Sequence, residues 1–489
     1  MRKWWPLVAV CLGAFMLLVD TTIVTVALPA MAGSLRASFA DLQWVLDIYA
    51  LSLAALLLGA GSLADLFGRR RMYVAGLVVF AVASLACGLA PNAATLIAAR
   101  GVQGAGGAAM FTTTLALLNS TYQGKDRGVA FGVWGAVNGA AAASGPVLGG
   151  LLTEHVGWRS IFLVNLPVSA VAIALVLTRV AASRGVPGAR LDVAGVGSFT
   201  ASAGTLTYGL IRAGDDGFGA AVPLSMFAVA AVTLVLFVVV ERRSRHPLLD
   251  LGLFRSPSFT AIMLGGMLLM ASAFACLAFT SVWLQAVLGL DPVHAGLALL
   301  PLAAASCVAS AGGARLAQRL PPRLSIGVGL LLIGAGAGLQ GVLDAGSSWT
   351  ALVPGLVVAG LGVGIAIPVL SAAAMAAAPH ERGGMAGGAI NTARQLGYAL
   401  GIAVLGVVLR ARVEHVLTGH VPDPHAMAGA ASGGRAPHLP IVRAAVASGL
   451  NAVYAVSAVL GLAAGVIALV LIRPRAAKEQ EHEPEAVPA

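Results

Sequence analysis

Long apolar blocks, separated by short polar segments, follow one another along almost the whole chain. Most blocks hold about 20 residues, the length with which an α-helix crosses a hydrocarbon core of ~30 Å. The apolar residues are continuous within each block and do not alternate with polar ones, which disfavours a transmembrane β-barrel. The pattern predicts fourteen membrane-spanning helices, with the bounds 7–30, 43–64, 72–90, 94–118, 128–152, 159–181, 193–213, 222–240, 259–285, 295–316, 324–344, 350–376, 387–409 and 449–472.

The first block resembles a secretion signal, because basic residues precede an apolar run. That run continues past Asp20 to about Ala30, however, which is longer than the core of a signal peptide. We therefore expect an uncleaved first helix. Near the other end, the Gly- and Pro-rich segment 410–448 and the polar tail after Arg473 are predicted to be poorly ordered.

Composition supports a membrane protein and disfavours other classes. Of the 489 residues, 58% are hydrophobic and only 10% are charged, whereas soluble domains carry about 25% charged residues. The net charge of +10 comes from basic residues scattered between the apolar blocks, so a nucleic-acid-binding surface is not expected. The four cysteines lie inside apolar blocks without metal-ligand spacing, so neither a disulfide framework nor a metal site is predicted.

The distribution of Lys and Arg predicts the orientation in the membrane. With the N-terminus inside, inner loops and tails hold 21 of the 30 basic residues and outer segments hold 7, while Arg100 and Arg394 lie within helices. Positive loops are retained on the cytoplasmic side of a membrane. We therefore expect a multi-pass protein of the cytoplasmic membrane with both termini in the cytosol.

A repeat indicates two related halves. An Asp-Arg-Gly triplet at 126–128 opens the fifth predicted helix, and a Glu-Arg-Gly triplet at 381–383 opens the thirteenth. Both copies start on the inner side, which implies two parallel halves. The sequence thus predicts an all-α integral membrane fold of two six-helix bundles plus two extra central helices. The expected units are an N-terminal bundle at 1–192, the two additional helices and a linker at 193–258, a C-terminal bundle at 259–472 and a cytosolic tail at 473–489.

Three charged residues lie inside the first four predicted helices. Asp20 lies roughly 20 Å from the inner face and Arg100 roughly 10 Å from the outer face at 1.5 Å per residue, so their depths agree in a ~30 Å core. A buried charge costs several kcal/mol unless it is paired, protonated or in water. The pair is therefore a candidate for proton coupling, with a purely structural ion pair as the alternative. Asp47, near the outer end of the second helix, either assists proton entry or reaches interfacial water.

The segment between the second and third predicted helices carries Gly61, Asp65, Gly68, Arg69 and Arg70. Glycines permit a tight turn and the arginines favour the cytosol, so one interpretation is a turn and a topology anchor. The alternative is a cytosolic gate, in which Asp65 forms a charge pair in one conformation and loses it in the other.

The fifth predicted helix combines Gly139, Gly145, Pro146, Gly149 and Gly150. Small residues let helices approach closely, and a proline inside a helix removes a hydrogen bond and bends it. The run predicts either tight packing alone or a bend that seals the path to the outside.

Polar residues on three predicted helices are candidates for a substrate cavity. Gln103 follows Arg100 by three residues on one helix face. A polar face inside a bundle also joins helices without touching substrate, so both interpretations stay open. The candidates are Gln103, Asn138, Asn391, Arg394, Gln395 and Tyr398.

These motifs together resemble the major facilitator superfamily. The segment 61–71 is similar to its signature loop G-x-L-A-D-x-x-G-R-[KR], the segment 100–106 to R-x-x-Q-G-x-G, and the segment 139–150 to its antiporter motif. The segment 18–29 looks like the L-D-x-T-I-V-N-V-A-L-P of the fourteen-helix drug:proton antiporters, except that Thr25 stands where that group usually has Asn. The N-T-A-R-Q-L-G sequence after Ile390 is also typical of that group.

The resemblance implies proton-coupled efflux of small lipophilic or cationic drugs and antibiotics by alternating access. It implies a monomer, the proton gradient as energy source and no cofactor. The chain contains no Walker A sequence and no histidine inside the predicted helices, and no enzyme is expected. The alternatives are an exporter of one metabolite or self-made antibiotic, an uptake symporter, and a non-transporting membrane sensor.

Overall fold

A computed structural model describes residues 2–181, 192–244, 247–317, 320–377, 383–433 and 439–473 of the chain. Regular secondary structure in these ranges is helical throughout. The tail predicted after Arg473 lies outside the described residues.

The helices of the first half are long and connected by short turns. A one-residue interruption at Val164 divides the sixth predicted span, because Pro167 has no N–H to bond the carbonyl group one turn earlier. The helices are α1 Trp5–Leu35, α2 Phe39–Phe67, α3 Arg69–Gly88, α4 Ala93–Thr121, α5 Gly124–His155, α6 Ser160–Leu163 and α7 Asn165–Arg179.

The rest of the chain follows the same design. A second interruption, at Phe274, divides the ninth predicted span, and a π-helical turn over Trp283–Val287 ends it. The helices are α8 Val193–Asp216, α9 Ala221–Arg243, α10 Pro257–Ala273, α11 Ala275–Val282, α12 Pro292–Ala317, α13 Pro322–Gln340, α14 Val353–Ala377, α15 Gly383–Leu417, α16 Pro424–Ser432 and α17 Pro440–Leu471.

Each predicted span coincides with one of these helices or with a broken helix pair. Eleven helical segments of the described chain are long and apolar enough to cross a membrane. The helices α4, α5 and α8 are of similar length but are not among these eleven segments. One expectation was wrong: the segment 410–448 is largely helical where it is described, because α15 runs on to Leu417 and α16 follows it.

Packing separates two groups of helices that meet along two seams. The helices α1 to α7 pack mainly on one another, as do α10 to α15 and α17. One seam lies between α5 and α12, and the other between α2 and α15. The pair α8 and α9 packs together, and α8 also contacts both helices of the α2–α15 seam.

Two turns serve below to name the ends of the molecule. The turn from α1 to α2 contains Arg36, which has a left-handed backbone with φ of 51°. The turn from α2 to α3 contains Gly68, whose φ of 91° favours glycine. We call these two ends the Arg36 end and the Gly68 end.

Candidate functional site

A buried ion pair joins α1 to α4 in the first bundle. The Nη1 atom of Arg100 lies 2.6 Å from Oδ2 of Asp20. Both residues are only 1% exposed. Helical packing thus brings together the two charged residues whose predicted depths agree, while their role in proton coupling stays a prediction.

Amide side chains complete the shell of the Asp20 carboxylate. Gln103 donates from Nε2 to Oδ1 of Asp20 over 2.9 Å, and its Oε1 accepts from Arg100 over 2.7 Å. Asn165, the first residue of α7, donates to the same Oδ1 atom over 3.2 Å. Ser84 of α3 accepts from both amides, over 2.9 and 3.3 Å. Helices α1, α4 and α7 therefore meet at one carboxylate, and α3 joins the network through Ser84.

The guanidinium group of Arg100 has further partners on α2. Its Nε atom donates to the carbonyl oxygen of Val45 over 3.1 Å. Its centre lies 4.1 Å from the centroid of the Tyr49 ring, which is a cation–π distance. The positive charge of Arg100 is paired with the Asp20 carboxylate, and its N–H groups have acceptors. The pair therefore avoids most of the free-energy penalty of an isolated buried charge.

Sequence reasoning did not single out Asn165 or Ser84. An Asn within an apolar span is itself a signal, and Asn165 lies within the sixth predicted span. Ser84 carries no such signal, because serine is common inside membrane helices.

Asp47 lies apart from this network and does not reach the surface. It is 0% exposed, and neither carboxylate oxygen has a hydrogen-bond partner. Of the two alternatives for Asp47, contact with interfacial water does not occur in this conformation, and assistance to proton entry stays a prediction.

The glycines of α5 sit where the helix touches two neighbours. A Cβ atom on Gly149 would lie 2.7 Å from the carbonyl oxygen of Ile23 on α1. A Cβ atom on Gly150 would press on the backbone of Pro292 at the start of α12, and one on Gly145 would meet Thr22. The close approach expected of small residues is therefore realised both within the first bundle and across the α5–α12 seam.

The remaining residues of that motif are only partly described. Pro146 lies inside α5 and is buried, and a Cβ atom on Gly296 of α12 would press on its carbonyl oxygen. Gly139 lies in α5 as well, but its surroundings are outside the described part of the structure.

The predicted gate loop is a tight turn at the Gly68 end. Arg69 and Arg70 begin α3, and Arg70 donates from Nη2 to the carbonyl group of Leu177 on α7. Gly61 lies within α2, next to Thr112 of α4. The side chain of Asp65 lies outside the described part, so the predicted charge pair stays untested.

The polar residues of α15 form a second cluster. Arg394 donates to the carbonyl oxygen of Ile367 over 2.9 Å and to Ser371 Oγ over 3.0 Å, both on α14. It also lies 3.5 Å from Oδ1 of Asn391. Arg394 is 8% exposed, and its Nε atom has no partner.

The other candidates for a substrate cavity are dispersed. Tyr398 is buried and Gln395 is half-buried on α15, whereas Gln103 is fully enclosed in the Asp20 network. The side chain of Asn138 lies outside the described part. In this conformation the described candidates do not form one cavity wall.

A groove on the surface of the first bundle lies apart from these candidates. It has a volume of about 670 Å³ and runs between α2 and α4, with Trp44, Ile97 and Val102 among its lining residues. Its walls are almost entirely apolar, and Val102 is 52% exposed. This groove is therefore a feature of the outer surface and not a site with polar groups.

The two bundles are in contact near the Arg36 end. Gln285 donates to the carbonyl oxygen of Val26 over 2.7 Å, and Gln43 donates to that of Ile402 over 3.2 Å. Each bond joins a side chain of one bundle to the backbone of the other. Sequence reasoning missed both glutamines, which carry no motif.

Comparison with known proteins agrees with this architecture. The family model of the Major Facilitator Superfamily matches residues 10–402. The chain is 39% identical to the multidrug resistance protein Stp of Mycobacterium tuberculosis, over 86% of this chain and 79% of that protein. It is 34% identical to the tetracenomycin C resistance and export protein of Streptomyces glaucescens, over 100% and 94%. It is also 34% identical to the multidrug efflux pump LfrA of Mycolicibacterium smegmatis, over 96% and 97%.

Solved structures support the same fold. A bacterial homolog of the human lysosomal transporter Spinster, in an inward-facing and unoccupied conformation, aligns with a TM-score of 0.66. That alignment covers 96% of this chain and 97% of the other at 17% identity, so it bears on the fold alone. The motifs, the helical architecture and these similarities together establish that the chain belongs to the Major Facilitator Superfamily.

Proposed function

We propose that this protein exports small lipophilic or cationic drugs and antibiotics across the cytoplasmic membrane in exchange for protons. The observation that carries the proposal is the buried Asp20–Arg100 pair, since a carboxylate inside the membrane is the group that a proton-driven transporter needs. The names of the relatives support the direction of transport, because several are resistance or efflux proteins.

The pair supplies a route from proton binding to conformational change. A proton on Asp20 removes the charge that Arg100 neutralises, so the attraction between α1 and α4 weakens. Gln103, Asn165 and Arg100 then lose an ionised acceptor, and α1, α4 and α7 are free to repack. Substrate binding and proton binding become linked because each favours a different arrangement of these helices.

Topology in this proposal follows the distribution of charge. Fourteen helices cross the membrane if α4, α5 and α8 are counted with the eleven apolar segments. The excess of basic residues assigns the Gly68 end to the cytosol and the Arg36 end to the outside. The bundles meet at the Arg36 end, so this conformation is closed toward the outside.

The motifs take roles in alternating access. Close packing of Gly149 and Gly150 against α1 and α12 contributes to the outer closure. The turn at Gly68, with Arg69 and Arg70, lies where an inner gate would open and close. Substrate is held between the bundles beside Asn391, Arg394, Gln395 and Tyr398, the protein works as a monomer, and the proton gradient is its energy source.

A narrower function is the second candidate. The match with the tetracenomycin C resistance and export protein covers the whole of this chain. Export of one compound, rather than of many, is therefore the alternative that a broad panel of substrates distinguishes.

Accumulation in cells tests the proposal. Cells that produce the protein should retain less of a fluorescent lipophilic dye than cells with an empty vector. A protonophore, or the substitution Asp20→Asn at equal expression, should abolish the difference. Low accumulation that persists with Asp20→Asn would exclude Asp20 as the coupling residue, and the absence of any effect over a broad panel would favour the narrow exporter.

A further inference from the structure

Arg394 lies in the second bundle at a point where three helices meet. It belongs to α15 and donates to the Ile367 carbonyl and to Ser371 Oγ on α14, over 2.9 and 3.0 Å. On the third helix, α10, a Cβ atom added to Gly266 would lie 3.5 Å from Cγ of Arg394. The side chain therefore lies between α10, α14 and α15.

The guanidinium group of Arg394 keeps donor capacity that its neighbours do not use. A guanidinium group carries five N–H donors. Besides the two bonds to α14, Arg394 makes one long contact, over 3.5 Å, from Nη1 to Oδ1 of Asn391. Its Nε atom is buried and has no partner. Since the residue is only 8% exposed, bulk water is a poor substitute for the missing acceptor.

The positive charge of Arg394 has no nearby negative partner in its own bundle. The sequences of α10 to α14 and of α17 contain no Asp or Glu. The acid of α15, Glu414, lies roughly 30 Å further along that helix at 1.5 Å per residue. In the first bundle, Asp20 is already paired with Arg100, and Asp47 accepts no hydrogen bond. Repacking of the helices within the second bundle therefore does not supply the missing charge.

We propose that Arg394 binds the anionic group of the substrate, so that the protein favours lipophilic acids with a carboxylate, sulfonate or phenolate group. A buried charge without a counter-charge is costly, and an oxyanion that binds beside Nε neutralises it. Arginine also matches the planar geometry of a carboxylate with two parallel hydrogen bonds. The inference rests on the proposed function, whose substrate class it narrows.

The surroundings of Arg394 suit such a ligand. Asn391 and Gln395 on α15 are half-buried, and their amide groups offer further donors. Ile367 and Ile390 belong to an apolar cluster next to the guanidinium group. Sites for small molecules combine mainly apolar walls with a few placed polar groups. The charge thus selects the head group of the substrate, while the apolar walls accept bodies of varied shape.

Two fluorescent ligands that differ in charge test this inference. Pyrenebutyrate carries a carboxylate and pyrenebutylamine carries an ammonium group on the same aromatic body. Each compound is titrated at neutral pH into the purified full-length protein in lipid nanodiscs, without a pH gradient. Empty nanodiscs give the partition of each compound into lipid alone, which is subtracted.

The unsubstituted protein should bind the carboxylate more tightly than the amine. Arg394→Gln keeps some hydrogen-bonding capacity but removes the charge, so its Kd for pyrenebutyrate should rise by about tenfold or more. Its Kd for pyrenebutylamine should stay the same or fall, which also shows that the variant is folded. Arg394→Lys restores the charge without the planar fork and should recover part of the preference. Arg412→Gln alters an exposed arginine of the same helix and should change neither affinity.

The outcomes separate this inference from the proposed function. Equal affinity for the two compounds, tighter binding of the amine, or no binding of pyrenebutyrate to the unsubstituted protein would overturn it. A preference for the carboxylate that survives in Arg394→Gln would overturn it as well. The nanodiscs carry no proton gradient, so the result does not depend on coupling through Asp20. Proton-driven export of dyes is measured in cells, and it can stand when the preference for anions fails.

Discussion

Two buried arginines, one in each bundle, are held in different ways. Arg100 of the first bundle binds a carboxylate, an amide, a backbone carbonyl and an aromatic ring. Arg394 of the second bundle binds a carbonyl, a hydroxyl and an amide, and no carboxylate of a described residue lies within 4.0 Å of it. The first bundle thus pairs its buried arginine with a negative charge. The second bundle surrounds its buried arginine only with dipoles.

The difference indicates where proton chemistry can take place. A proton that binds in the first bundle removes one half of an ion pair and changes the balance of forces among four helices. In the second bundle no described acid shares the site of Arg394, so a proton has nothing to titrate there. The two halves related by a sequence repeat therefore hold their buried arginines differently, and under the proposed function the first binds the proton while the second supplies a fixed charge.

Substitution of each buried arginine should give the largest difference in stability between the two bundles. Arg100→Gln leaves Asp20 buried without its cation, which costs about 3–5 kcal/mol. Arg394→Gln removes hydrogen bonds but also an uncompensated charge, and it should cost about 1–2 kcal/mol. Thermal unfolding of the purified variants in one detergent measures the difference.

The double variant provides the control for that experiment. Asp20→Asn combined with Arg100→Gln removes both charges, so its loss should be smaller than the sum of the single losses. Equal destabilisation by Arg100→Gln and Arg394→Gln would contradict the distinction between the two bundles.

Glycine substitutions inside and outside the bundles should give a smaller difference in stability. Gly149→Ala places a methyl group against the Ile23 backbone, and such overpacking costs typically about 1–3 kcal/mol. Gly204 of α8 lies outside both bundles with no atom near its Cβ position. Gly204→Ala should be neutral or should stabilise by up to about 1 kcal/mol, since alanine favours helix. If both substitutions had the same effect on thermal unfolding, the tight α1–α5 contact would not contribute to stability.

Much of the fold was predictable because a membrane imposes a simple geometry. Helices cross a slab of fixed thickness, so length and hydropathy locate the spans. Depth followed from counting residues, and this was enough to match Asp20 with Arg100 before any contact was known.

What could not be predicted depends on helix rotation and on contacts between distant segments. Depth alone did not reveal that Asp47 is buried in the protein and does not reach interfacial water. Ser84 and Gln285 act through tertiary contacts that no local pattern records. The division of a span at Val164 did have a signal in Pro167. The helix α16 formed where a Gly- and Pro-rich composition had suggested poor order.

The most direct test of the central claim, that Asp20 couples export to proton flow, uses everted membrane vesicles. Respiration acidifies their interior, and a fluorescent probe reports the pH gradient while lipophilic cations, dyes and antibiotics are added in turn. The account predicts that at least one compound partly collapses the gradient in vesicles with the unsubstituted protein and with Asp41→Asn, but not with Asp20→Asn. A collapse of equal size with Asp20→Asn would contradict it.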